Sequence, residues 1–96
     1  MVTLRIQHTV PSFEEWKKAF DSDPADRRGS GVFQYRIQRP VDDPHFVFIE
    51  LDFETKEKAQ ALLEKMKTVW ANGTVPVSGD GPRYWIVETV ESAELT

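Results

Sequence analysis

The stretch His45-Phe-Val-Phe-Ile-Glu-Leu-Asp-Phe53, followed by Glu54-Thr-Lys-Glu-Lys-Ala-Gln-Ala-Leu-Leu-Glu-Lys-Met-Lys-Thr-Val-Trp70, decides the fold. In the first half the side chains alternate. Val47, Ile49, Leu51 and Phe53 share one parity, while Phe46, Phe48, Glu50 and Asp52 share the other. A period of two marks a β-strand. After Thr55, a natural N-cap, the period changes. Ala59, Leu62, Leu63, Met66, Val69 and Trp70 recur at offsets of three and four, which predicts a helix over 56–70 with one apolar stripe. Asn72-Gly73 closes it as a C-cap pair.

Working toward the N-terminus, residues 32–39 alternate as well. Phe33, Tyr35 and Ile37 face one way, and Gln34, Arg36 and Gln38 the other. The cluster from Pro40 to Pro44 is a turn, so 32–39 and 45–53 should form an antiparallel hairpin. Residues 2–10 repeat the pattern, with Val2, Leu4, Ile6, His8 and Val10 on one parity. Ser12 stands three residues before Glu15 in capping-box spacing, and Phe13, Trp16 and Phe20 follow at helical spacing, giving a helix over 12–21. Pro24 disfavours helical geometry at Asp23, which can instead cap a short turn of helix from Pro24 to Gly29. Beyond the second helix, 71–82 reads as a loop, long enough to serve as a lid. Residues 83–91 read as the last strand and 92–96 as a fraying tail.

The order is strand, helix, strand, strand, helix, strand. It predicts one α+β domain over 1–96 with a ferredoxin-like βαββαβ topology: a four-stranded antiparallel sheet with two helices on one face. The helix-covered face should carry Leu4, Ile6, His8, Tyr35, Ile37, Val47, Ile49 and Leu51. The opposite face carries Arg5, Gln7, Gln34, Arg36, Phe46, Phe48, Glu50 and Asp52. Phenylalanines mixed with both charge signs suit a half-buried interface, so a homodimer through the sheet face is expected, with arginines pairing acids across it. A solvated face with stray aromatics is the alternative.

Composition narrows the function classes. Twelve Lys and Arg against sixteen Asp and Glu leave a net charge of −4 without a basic stripe, a poor footing for nucleic acid. No stretch approaches the length of a membrane span, and Met1-Val-Thr-Leu-Arg5 reads as the start of a strand rather than a secretion signal. Neither nucleic acid nor membrane is expected as a partner, and a cytoplasmic setting is. The chain has no cysteine, which removes disulfides, thiolate metal sites and a cysteine nucleophile. It contains no nucleophile elbow, P-loop, dinucleotide fingerprint or HExxH.

The string His8-Thr-Val-Pro-Ser-Phe-Glu-Glu-Trp-Lys-Lys-Ala-Phe-Asp21, with Pro40-Val-Asp-Asp-Pro44 and Leu51-Asp-Phe-Glu-Thr-Lys-Glu-Lys-Ala59, resembles small members of the dimeric α+β barrel superfamily. That superfamily includes antibiotic-biosynthesis monooxygenases, haem-degrading monooxygenases and small polyketide cyclases. The resemblance implies a dimeric barrel whose ligand sits between the helices and the sheet of each protomer. It implies chemistry with no metal or flavin, so no cofactor and no metal site are expected. Haem-degrading relatives place a His on the second helix. There is none in 56–70, and His8 does not replace it, which argues against haem degradation.

Candidate residues follow. His8 lies on an otherwise apolar parity, where burial would keep its imidazole neutral and able to act as a general base. A core histidine held by one hydrogen bond is the alternative. Tyr35 could donate a hydrogen bond to a substrate oxygen, or be a core tyrosine reaching water. Trp16, Phe20, Met66 and Trp70 would wall a small, flat, apolar or aromatic ligand, or simply be core. Trp85 has a face that depends on register. Arg36, Glu50 and Asp52 read as interface charges, and Asp42, Asp43 and His45 as a turn rather than a metal site. The expected function is a cofactor-independent monooxygenase or cyclase. A non-catalytic ligand binder and a pure interaction domain are the alternatives.

Overall fold

A computed structural model describes residues 1–96. Its elements are β1 (Val2–Thr9), α1 (Phe13–Asp21), β2 (Gln34–Gln38), β3 (Phe46–Phe53), α2 (Lys56–Ala71) and β4 (Ser78–Val87). The strands form one antiparallel sheet in the order β2-β3-β1-β4. This is the ferredoxin-like arrangement, with both helices packed on the same face.

Register fixes which side chains share that face. Leu4 pairs with Leu51, Ile6 with Ile49 and His8 with Val47, and all six are buried. From α1 come Trp16 and Phe20, and from α2 Ala59, Leu62 and Val69. Both helices start where the sequence places them. The Ser12 hydroxyl accepts the Glu15 amide at 3.3 Å and the Thr55 hydroxyl accepts the Lys58 amide at 3.3 Å. The capping box at α1 is half-made. Ser12 Oγ donates to Glu14 rather than Glu15 reaching back. The backbone of α2 comes close to β1 and β3. α1 stands further off and reaches the sheet through its large aromatic side chains.

Several boundaries differ from the sequence expectation. The strand expected over 83–91 begins at Ser78, because Thr9 pairs with Ser78 across an irregularity that leaves Gly79 to Pro82 bulged opposite His8. Gly79 there has φ +70, and a Cβ would sit 2.8 Å from Thr9 Oγ1, so glycine serves both the left-handed backbone and the close approach. β4 ends at Val87, opposite Thr3, one residue from the start of β1. The loop expected over 71–82 is therefore confined to 72–77. The helical turn expected from Pro24 to Gly29 does not form. Asp23 and Asp26 adopt positive φ (58° and 51°), and Asp23 Oδ1 accepts the Arg27 amide at 2.9 Å, holding a turn instead. β2 is shorter than 32–39 and lies at the edge of the sheet. Phe33 and Tyr35 are consequently exposed, and Ile37 alone of that parity packs against the core.

Candidate active site

A small cavity lies between α1, α2 and the sheet. Its volume is about 30 Å³, room for a single water molecule. His8 and Ile6 of β1, Ile49 of β3, Trp16 of α1, and Met66 and Trp70 of α2 are among its walls. Phe20 also lines it. Five of the six residues singled out from the sequence thus converge on one space: His8, Trp16, Phe20, Met66 and Trp70. Tyr35 does not. It stands on the far side of Phe20, edge-on to that ring with centroids 5.3 Å apart, in an outer groove formed with Asp23, Arg27 and Arg28.

His8 is 3% exposed. Its Nδ1 lies 3.0 Å from the Thr9 carbonyl oxygen. A carbonyl only accepts, so Nδ1 is assigned the proton and Nε2 keeps a lone pair. Burial pushes the imidazole pKa below its usual 6.5, partly opposed by the Thr9 hydrogen bond. The ring is neutral at pH 7 and presents a base. Trp16 meets it edge-on at 6.0 Å and stacks on Phe20 at 5.2 Å. His8 borders a second, open groove beside the Gly79–Gly81 bulge as well.

Residues that no sequence pattern singles out also line the cavity: Pro24, Ala25 and Arg27 from the α1–β2 connection, and Val75 from the loop after α2. None lies in a periodic segment, and only the path of the two connections brings them in. Arg27 borders both the inner cavity and the outer groove. Its guanidinium carbon lies 3.8 Å from the Phe20 ring centroid and 5.1 Å from that of Tyr35, a cation–π arrangement. Nη1 donates to the Phe20 carbonyl at 2.6 Å.

The open sheet face holds an ion-pair network within one chain. Arg36 donates to both carboxylate oxygens of Asp52, at 2.9 and 3.0 Å, and to Glu50 at 2.9 Å. Glu50 also accepts from Arg5 at 2.8 Å, and Thr3 donates to Asp52 at 2.7 Å. The Arg36 bonds hold the Asp52 carboxyl below its ordinary range, against the opposing effect of burial. The arginines expected to pair acids across a dimer are therefore already paired at home. Trp85 lies on this face, opposite Arg5, and is 46% exposed. Phe46 and Phe48 pack together beside the network. Asp43 accepts the His45 amide at 2.9 Å, a turn. No three His, Asp or Glu side chains group as metal ligands, and no helix is long and apolar enough to cross a membrane.

No protein-family model matches the chain, and no curated protein matches its sequence. Solved structures match its shape. A protein of Nitrosomonas europaea provisionally assigned as an antibiotic biosynthesis monooxygenase is 19% identical, with a TM-score of 0.72 over 95% of this chain and 100% of the other. SnoaB, a cofactor-independent oxygenase from Streptomyces nogalater, is 12% identical, with a TM-score of 0.74 over 95% of this chain and 94% of its own. A mutant of MhuD, with two manganese protoporphyrin IX bound per active site, is 22% identical, with a TM-score of 0.70 over 98% and 99%. Sheet order, helix placement and these near-complete overlaps agree: the chain has the ferredoxin-like βαββαβ fold of the antibiotic-biosynthesis-monooxygenase-like proteins.

Proposed function

We propose that the protein is a small-molecule enzyme of the cofactor-independent oxygenase or cyclase type. It acts on a flat, apolar substrate held between the helices and the sheet. The observation that carries this reading is the neutral His8 imidazole, with its Nδ1 committed to the Thr9 carbonyl, at the wall of an otherwise apolar cavity. Such a base can take a proton from an activated C–H or O–H of the substrate at Nε2. The resulting anion then either attacks a carbonyl within the same molecule or reacts with dioxygen, which supplies the oxidising equivalents. Trp16, Phe20, Met66 and Trp70 exclude water and hold the ring system flat. The fold is shared with SnoaB, itself a cofactor-independent oxygenase, which supports the oxygenase branch.

The cavity as it stands is smaller than any such substrate, so admission requires α1 and the connection after it to move outward. The way α1 rests on Trp16 and Phe20, rather than on close backbone approach, suits that movement. The working form is a homodimer through the open sheet face. Trp85, Phe46 and Phe48 supply its apolar contacts, and the satisfied Arg–Glu–Asp network lies between them without needing a partner's charges.

The test is turnover of a panel of hydroxylated polycyclic aromatics and linear polyketide mimics, followed by oxygen uptake and absorbance. His8→Ala should lower kcat/KM about 100-fold or more. Unchanged turnover in that variant would remove His8 from the mechanism. For the assembly, sedimentation should give a dimer that Phe48→Asp splits, and a wild-type monomer at about 100 μM, well above ordinary homodimer affinities, would overturn the sheet-face pairing.

A further inference from the structure

We propose that Arg27 is an anion-binding residue at the mouth of the cavity, and that the ligand is an aromatic molecule carrying a carboxylate, or an equivalent localised anion, at one end. This rests on the reading of the cavity as a ligand site and specifies the class of ligand.

Arg27 is the one ionised side chain among the cavity walls, since the other titratable wall residue, His8, is neutral. It is also the wall shared with the outer groove, an open space of about 580 Å³. Its side chain is only 16% exposed, yet its protein partners use little of its donor capacity. Nη1 bonds the Phe20 carbonyl, and the Asp23 carboxylate is 3.4 Å away with Oδ1 already engaged by the Arg27 amide. Nε and Nη2 make no hydrogen bond to protein and are not sealed from solvent. A largely buried guanidinium with two nitrogens unpaired in the protein, on a residue that lines an open groove, is half of a bidentate carboxylate contact.

The surroundings hold it ready. Phe20 and Tyr35 both pack against the guanidinium, at 3.8 and 5.1 Å from its carbon to the ring centroids, so little freedom is lost when an anion binds. Arg28 lines the same groove and adds a second positive charge against the single Asp23. The chain as a whole carries −4, so this mouth is locally positive on an acidic protein and would draw anions to it. A ligand lying with its rings against Trp16 and Trp70 and its anionic end at Arg27 would span from cavity to groove. Its apolar end would then be the part presented to His8.

The experiment compares 2-naphthoate with 2-naphthamide, equal in shape and different in charge. Binding is followed by quenching of tryptophan fluorescence and by thermal stabilisation. Wild type should bind the carboxylate about 10- to 100-fold more tightly, as a charge-assisted pair requires. Arg27→Gln should lose that preference, and Arg27→Lys should keep part of it. Equal binding of the two probes by wild type would overturn the anion assignment while leaving the cavity intact, as would a preference that survives in Arg27→Gln. Binding of neither probe would overturn the cavity reading and this inference with it.

Discussion

Replacing Trp16 with alanine tests whether the space under α1 is what the geometry describes. Trp16 is 1% exposed and touches His8, Phe13 and Phe20 through ring contacts of 5.2 to 6.0 Å. A tryptophan buries about 150–250 Å², which at about 25 cal/mol/Å² is worth roughly 4–6 kcal/mol. Measured costs of such truncations run about 3–5 kcal/mol, so a loss of about 4 kcal/mol is expected. With a urea m-value near the low end for small domains, about 1.5 kcal/mol/M, the midpoint should fall by about 2.5 M. The removed indole leaves an apolar void contiguous with the existing cavity. Free indole at about ten times its Kd should then return about 1.4 kcal/mol to the variant. Wild type, with room for one water, must lift α1 to admit the same ring and should gain less. A loss below about 1 kcal/mol, or an equal gain from indole in both proteins, would refute the view that Trp16 props α1 off the sheet.

Two further predictions concern charge. The His8 pKa is lowered by burial, so the unfolded chain binds its proton more readily. Stability from this group is complete above about pH 6.5 and is lost as pH falls through the lower folded value. Thermal melts across that window should show the loss in wild type and not in His8→Gln, and identical profiles would contradict it. Arg36→Met removes the largest cause of the lowered Asp52 pKa and leaves a nearly buried carboxylate with Thr3 alone. A cost of about 2–3 kcal/mol is expected. Asp52's contribution in wild type is present above its ordinary value of 3.8 and disappears as pH falls through the depressed folded value. Acid unfolding followed by circular dichroism should begin at higher pH in the variant, and a coincident midpoint would count against the network.

Alternation and helical spacing determined a great deal here. Period two in 2–10 and 45–53, and period three to four in 12–21 and 56–70, are local consequences of backbone geometry, so element order and the buried faces of β1 and β3 were legible in the sequence alone. That placed His8, Trp16, Phe20, Met66 and Trp70 on facing stripes. Position within the sheet is not local. Tyr35 carries the same parity as the core residues, yet β2 is an edge strand, and its ring lies on the outer side of Phe20 with Arg27. β4 begins five residues earlier than its composition suggests, because the cross-strand bond of Thr9 with Ser78 forms on the far side of a bulge. Arg27 itself belongs to an aperiodic connection, and only the folding of that segment over Phe20 makes it a wall of the cavity. Pairing within the Arg5–Glu50–Arg36–Asp52 network was likewise set by register between strands distant in sequence. Backbone periodicity determined the layers. Strand order, register and the course of the connections, which depend on contacts between residues far apart in the chain, decided the contents and mouth of the site.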